Sequence, residues 1–260
     1  MKEWWQSFFV PITGEIMFSL KTDTSASEVD QILQMSHPKK GGKILDLACG
    51  SGRHSILFSK KGFLTTGLDY SKFYLNDARK ASKKERQRID FIQGDMKNIK
   101  SHFKPNTFDL VVSLYNSFGY FKKRSADSQM LREVYRVLKP GGKFIINTLN
   151  AGSVKAKLKS SISSGREPIK NVFMIDAARF EPDQKKIFCE WVIIDTRMTK
   201  TKLFRGNFEQ NVYTHTELKA LLKATGFKVK FVWGLLPGGK FEPHKTWHQT
   251  ILVEKPIRSL

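Results

Sequence analysis

The sequence predicts an α/β fold with a mostly parallel sheet and a small antiparallel β insert. Three observations lead there. Between residues 44 and 148, short apolar runs of strand length alternate with segments whose apolar residues recur at helical spacing. The first of those runs leads directly into a glycine turn, Cys49-Gly50-Ser51-Gly52. Beyond Asn171 the period switches to two, over three successive runs. Strands alternating with helices make parallel sheets, whose ligands lie beyond the strands' carboxyl ends.

Each element has its own signal. Ser25 to Ser36 places Val29, Ile32, Leu33 and Met35 near helical spacing, with Ser25 or Ser27 as N-cap and Pro38 as stop. Ile44, Leu45 and Leu47 then form a buried strand around Asp46, and the helix behind the glycine turn runs to Lys61, ended by Gly62. Phe63 to Leu68 is the second strand, ending at Asp69, with Tyr70 and the N-cap Ser71 before a basic helix expected to reach Arg88. Ile89 to Gln93 is the third, followed by Gly94-Asp95-Met96. Thr107 to Leu114 is the fourth, opening into Tyr115-Asn116-Ser117-Phe118-Gly119-Tyr120-Phe121. A helix from Ser125 presents Met130, Leu131, Val134, Val137 and Leu138 on one face; Lys139-Pro140-Gly141-Gly142 closes it, and Lys143 to Thr148 is the fifth strand.

From Ala151 a short basic helix and a linker, Ser160 to Gly165, lead to three period-two runs: Asn171 to Phe180, Lys186 to Met198 and Lys202 to Tyr213. Ile187, Cys189, Trp191 and Ile193 share one face there, expected to roof a crevice. Thr214 and Glu217 form a capping box, Leu218, Leu221 and Leu222 make a helical stripe, and Gly226 ends it. Lys228 to Gly234 and His248 to Glu254 are the last strands. The loop Leu236-Pro237-Gly238-Gly239-Lys240 between them is long enough to reach the crevice.

Composition narrows the class. At 260 residues with 40% hydrophobic content, the chain can bury a sizeable core. Two cysteines, Cys49 and Cys189, make no disulfide framework, and a reducing cytoplasm is the expected home. Glu3, Pro11 and Glu15 interrupt the aromatic N-terminus and no small-residue cleavage site follows, which argues against a secretory signal. No apolar run approaches the roughly 18 residues of a membrane span. Lys and Arg total 45 against 24 Asp and Glu, a formal charge of +21, which allows RNA as a partner. The basic residues are scattered, however, as solvated helix faces would be.

The chemistry is carried by carboxylates at strand ends. Asp46, Asp69 and Asp95 fall at three successive predicted strand ends in a chain poor in acids. Asp46 would repel a diphosphate and attract an ammonium or sulfonium. Asp69 suits a ribose diol, since one carboxylate accepts from two hydroxyls. Ser55 replaces the third glycine of a dinucleotide fingerprint, which disfavours a nicotinamide cofactor.

Asp46-Leu47-Ala48-Cys49-Gly50-Ser51-Gly52 resembles the first motif of class I S-adenosylmethionine-dependent methyltransferases, with Ala48 where many members carry glycine. Leu131 to Phe144 resembles the segment before their fifth strand, so the likeness runs from Ile44 to Asn150. It implies a Rossmann-like seven-stranded sheet, mostly parallel with the last strand antiparallel, and helices on both faces. It also implies a division into an N-terminal helical lid (1–40), a cofactor-binding core (41–150), an antiparallel substrate cap (151–212) and a C-terminal helix with the last two strands (213–260). Trp4, Trp5, Phe8 and Phe9 would then fold over the cofactor. The resemblance places S-adenosylmethionine against Asp46, Ala48, Gly50, Gly52, Asp69, Tyr70, Asp95, Met96 and Leu114. It places acceptor-facing groups at Tyr115, Asn116 and Tyr120.

His244 is a further candidate base. Residues four apart in an extended segment are separated by roughly 13 Å, so His244 and His248 cannot share one zinc ion, and no metal is expected. The layout is similar to bacterial small-molecule methyltransferases, which implies a small amine or hydroxyl as acceptor. An RNA methyltransferase and a non-catalytic S-adenosylmethionine-binding protein are the alternatives.

Overall fold

A computed structural model describes residues 4–19, 24–158, 162–236 and 238–257. Three N-terminal helices, α1 (Trp5–Phe8), α2 (Pro11–Ser19) and α3 (Ser25–Ser36), precede the sheet. The core then alternates as expected: β1 (Lys43–Leu47), α4 (Arg53–Lys60), β2 (Leu64–Asp69), α5 (Lys72–Lys84), β3 (Asp90–Gln93), a 3-10 helix (Met96–Ser101), β4 (Phe108–Ser113), α6 (Arg124–Val137) and β5 (Leu138–Leu149). After α7 (Ala151–Lys157) come four strands, β6 (Ile162–Ile169), β7 (Val172–Glu181), β8 (Lys186–Asp195) and β9 (Lys202–Asn211). The chain closes with α8 (His215–Ala224), β10 (Lys228–Trp233) and β11 (His248–Glu254).

The seven-stranded sheet has the order β10-β11-β5-β4-β1-β2-β3. β11 runs antiparallel to both neighbours and the other pairs are parallel. Both faces are covered, because successive side chains of a strand point to opposite sides. Leu45 and Leu47, Val111, Phe144, Ile251 and Val253 pack with α6 and α8. Ile44, Leu110, Val112, Ile145 and Leu252 pack with α3 and α4. Each such fully buried side chain contributes about 1.5–3 kcal/mol.

Several expectations are corrected. α5 stops at Lys84 rather than Arg88, because Arg86 turns left-handed (φ 55°) and the Gln87 N–H returns to the Ser82 carbonyl. Lys139 to Gly142 does not separate helix from strand; it belongs to β5, as an irregularity in its pairing with β4. The N-cap of α3 is Thr24, not Ser25 or Ser27.

The insert has four strands, not three. β6 occupies most of what reads as a linker, and residues 160 and 161 lie outside the described set. Its inward face, including Ile187, Cys189, Trp191 and Ile193, packs on α7 at one end and on Ile12 and Ile16 of α2 at the other. Cys49 and Cys189 are both free thiols. Among the described residues no helix is long and apolar enough to cross a membrane.

Candidate active site

The site forms where β1, β2 and β3 end. Ile44 and Asp46 share the face of β1 that meets α4, so Asp46 is buried there, and the Ser55 hydroxyl of α4 donates to its Oδ2 at 2.6 Å. Burial raises the Asp46 carboxyl above its ordinary range, opposed by nearby His54 and the Ser55 bond. Ser55, where a dinucleotide fold would carry glycine, thus has a polar task.

The glycine turn is fastened to β2. Gly50 N–H donates to Asp69 Oδ2 and Ser71 N–H to Asp69 Oδ1, each at 2.8 Å. Burial pushes Asp69 up to about 6 despite those bonds. A carboxylate offers about four lone-pair sites, so Asp69 retains capacity for two hydroxyl donors. Gly50 has φ 56°, and a Cβ built on it would meet nothing within 4 Å. Glycine there keeps the turn left-handed and the crevice wall open. Ala48 adopts φ 55° although it carries a Cβ, a backbone conformation that glycine takes without steric cost.

Asp95 caps the 3-10 helix by accepting from Lys97 N–H at 2.8 Å, and Met96 lies beside it on the wall. The crevice spans roughly 1080 Å³ of empty space, part of it open to solvent. Of the nine residues expected to hold a cofactor, eight line it: Asp46, Ala48, Gly50, Asp69, Tyr70, Asp95, Met96 and Leu114. Gly52 does not. A Cβ there would press on the Phe91 ring at 2.8 Å, so Gly52 serves helix–sheet packing.

The loop after β4 forms the opposite wall. Tyr115 and Asn116 have φ 54° and 64°, and Gly119 φ 97°. Gly119 is required by close approach, since its Cβ would sit 2.3 Å from the Asn211 carbonyl. The end of β9 holds this loop in shape: Gln210 Nε2 donates to the carbonyls of Asn116 and Phe118, and Asn211 Nδ2 donates to that of Phe121. Tyr115 and Tyr120 consequently line the crevice. Burial, together with the charge of Asp69 and the neighbouring Tyr74, raises the Tyr120 hydroxyl, which keeps its proton.

Two candidates fall elsewhere. Asn116 lies outside the crevice wall, its Nδ2 3.2 Å from His248 Nε2. His244 is exposed beside Gly152 of α7. The loop before it bends away, with Gly238 N–H donating to Gln31 of α3 and Leu236 buried near Val29; residue 237 lies outside the described set. Burial and Lys157 lower His248 to about 4, so it stays neutral at physiological pH.

The roof is aromatic. Trp4 Nε1 donates to the Tyr120 carbonyl at 3.1 Å, Trp5 meets the Tyr70 ring edge-on at 4.4 Å, and Phe9 lies 5.9 Å from the Tyr120 ring. Among the described residues, none of the crevice lining comes from the insert. Instead Phe8 packs on Trp191, Phe204 and Phe208, so the insert backs the helices that cover the crevice.

Sequence reasoning missed a polar cluster below this roof. Glu28 of α3 is buried, with Oε2 2.7 Å from His54 Nε2 and Oε1 accepting from the Thr24 and Tyr115 hydroxyls. Burial would raise its carboxyl, but the His54, Thr24 and Tyr115 bonds outweigh it and hold Glu28 at about 2. Arg53 and His54 also line the crevice, Arg53 with its guanidinium 4.2 Å from the Tyr115 ring centroid. The only local signal was their place immediately after the glycine turn.

Chemically, the crevice offers carboxylates to a ligand's cationic and hydroxyl groups, and an aromatic enclosure to the atoms between. Comparison with known proteins agrees. A family model described as a methyltransferase domain matches residues 38–225. A provisionally named methyltransferase of Bacillus subtilis (strain 168), YqeM, is 28% identical over 197 residues, covering 76% of this chain and 77% of that one. An S-adenosylmethionine-dependent methyltransferase structure from Clostridium acetobutylicum aligns with a TM-score of 0.81 at 19% identity, covering 95% of this chain and 97% of that one. CalS10 of Micromonospora echinaspora, an amino pentose methyltransferase solved with S-adenosylmethionine bound, aligns with a TM-score of 0.66 at 16% identity, over 95% and 98% of the two chains.

Proposed function

Because the chain belongs to the methyltransferase-domain family and uses S-adenosylmethionine as methyl donor, we propose that its crevice methylates a small-molecule amine, with a small hydroxyl compound as the second choice. The observation that carries this reading is the pairing of a three-carboxylate wall with an aromatic roof over one crevice. When bound, the donor would supply an electrophilic methyl group on sulfonium sulfur, whose transfer to an acceptor's lone pair breaks the C–S bond and leaves the neutral thioether.

The residues fit that donor. Asp46 suits its ammonium, Asp69 its ribose diol, and Asp95 with Met96 its adenine, while the open face of Gly50 leaves room for the chain between. Trp5 and Phe9 exclude water, and an aromatic face beside a positive centre is favourable. The helical cover is proposed to act as the lid, and the insert to act on the acceptor through it.

The acceptor side favours an amine for a reason of proton balance. Tyr120 keeps its proton and therefore donates a hydrogen bond, orienting the acceptor without deprotonating it. His244 and His248 lie away from the crevice, and His54, which lines it, is engaged by Glu28 at 2.7 Å. A neutral amine has a lone pair ready for attack, whereas a hydroxyl gains reactivity mainly from proton removal. The likeness to an amino pentose methyltransferase points the same way. RNA draws no support from the site, since among the described residues the covering segment brings Trp5, Phe9 and Met17 to it rather than basic residues.

The test is a donor-labelled methyl transfer screen against matched small amines, small hydroxyl compounds and total RNA. The expected result is one equivalent of S-adenosylhomocysteine per methylated small amine. Label found only in RNA would refute the reading.

A further inference from the structure

We infer that Arg53, held in place by Tyr115 and Glu28, is the subsite for the carboxylate at the amino-acid end of the methyl donor. The inference rests on the donor assignment above and extends it to Arg53 and Glu28, which neither motif nor spacing singled out, and to Tyr115, which the sequence placed on the acceptor side.

Arg53 opens α4 directly after the glycine turn and lines the crevice. Its Nη2 is buried and has no hydrogen-bond partner among the described residues. A buried donor left unpaired costs about 1–3 kcal/mol, and more on a charged group, so an unpaired guanidinium N–H on a residue that lines a crevice is suited to an acceptor brought by the ligand. A guanidinium presents N–H groups in a fixed planar fork, the geometry that suits a carboxylate.

The fork is held by stacking. The Arg53 guanidinium lies over the Tyr115 ring at 4.2 Å, and the Tyr115 hydroxyl donates to Glu28. Glu28 is anchored by His54 at 2.7 Å and by the Thr24 hydroxyl at 2.6 Å. The His54 ring also lies against Tyr115, 5.6 Å between centroids. Glu28 therefore spends its charge on its own three partners. It fixes the ring under Arg53 without neutralising the guanidinium.

The sign pattern agrees with the ligand. An α-amino acid carries an ammonium and a carboxylate on one carbon. Asp46 and Arg53 both line this crevice and feel each other's charge, which gives one partner to each half of such a zwitterion. Nothing in this arrangement requires Arg53 to touch the reacting atoms, so it is a binding residue, and Tyr115 and Glu28 are positioning residues.

Two ligands isolate the carboxylate. S-Adenosylhomocysteine carries it, whereas 5′-methylthioadenosine has the same nucleoside and thioether without the amino-acid end. Calorimetric titration of the full chain with both, for wild type, Arg53→Met, Arg53→Lys and Tyr115→Phe, reads the subsite directly. Arg53→Met should weaken S-adenosylhomocysteine about 10- to 100-fold and change methylthioadenosine by less than about twofold, the range expected for a lost charge-assisted pair. Arg53→Lys keeps the charge without the fork and should fall between. Tyr115→Phe keeps the ring but frees it from Glu28; a loss of about 3- to 10-fold for S-adenosylhomocysteine alone is expected.

Equal losses for both ligands would overturn the inference, as would an Arg53→Met protein that binds S-adenosylhomocysteine as wild type does. In the second case the guanidinium serves another anion, such as an acidic methyl acceptor. Wild type that binds neither ligand would instead overturn the donor assignment itself.

Discussion

The wall and the roof of the crevice are assembled over different distances along the chain. On the wall, Asp46, Gly50, Asp69 and Asp95 each lie at or just beside the end of a strand, and the longest bond among them, Gly50 to Asp69, spans 19 positions. On the roof Trp4 reaches Tyr120 across 116 positions, and in the loop that forms the opposite wall Gln210 reaches Asn116 across 94. The wall is thus a local product of strand, turn and helix. The roof exists only once the N-terminal helices, the loop after β4 and the end of β9 have met. Donor binding should therefore depend sharply on single wall residues, and the roof should answer to the joints that assemble it.

The largest effect should come from the wall. Asp69→Ala removes the acceptor for two hydroxyl donors and also frees Gly50 and Ser71 N–H. Loss of about 3 kcal/mol, roughly 100-fold or more in S-adenosylhomocysteine affinity by calorimetry, is expected. A change below about fivefold would mean that the ribose lies elsewhere.

The next effect concerns the joint. Asp127 of α6 is fully buried and accepts from Asn211 Nδ2 at 2.8 Å and the Tyr213 hydroxyl at 2.7 Å, tying the end of β9 to the core. Asp127→Ala strands both donors and should cost about 2–4 kcal/mol of unfolding free energy in a urea titration. If stability holds, the two halves are joined by other contacts.

Protonation gives a smaller and graded effect. Asp69 is raised to about 6 by burial, so its proton stabilises the ligand-free fold below the unfolded carboxylate pKa, and that contribution is lost as pH rises through about 6. Binding of a diol needs the ionised form. Affinity for S-adenosylhomocysteine should be flat above about pH 7 and fall by up to about tenfold per unit below 6. Asp69→Asn should flatten that limb; an unchanged profile would assign it to another group. The smallest effect is expected for Trp5→Ala, about 3- to 10-fold in donor affinity, since this ring covers the crevice from one side.

The same contrast sets how much was legible in the sequence. The core strands and the carboxylates at their ends were readable because period and turn chemistry act within a few residues. β6 was not: Ser163, Gly165 and Pro168 are turn formers, and only pairing with β7 makes them strand, at an edge where proline is tolerated. The end of α5 carries no glycine, so its left-handed Arg86 gave no warning. Asn116 was placed in the right loop and faces His248 instead of the crevice, because a positive φ redirects the side chain. The Glu28–His54–Tyr115 cluster joins positions 26 and 87 residues apart from Glu28, and no local pattern announces it.

Thermal unfolding with S-adenosylmethionine, S-adenosylhomocysteine and NADH asks whether the strand-end wall holds the adenosyl donor. A ligand at about 100 times its Kd adds about 2.7 kcal/mol, enough to raise the melting temperature by several degrees in a chain of this size. The proposed donor assignment implies that shift with the two adenosyl amino acids and none with NADH. A shift with NADH alone, or none with any of the three on protein shown by mass spectrometry to carry no ligand, would contradict it.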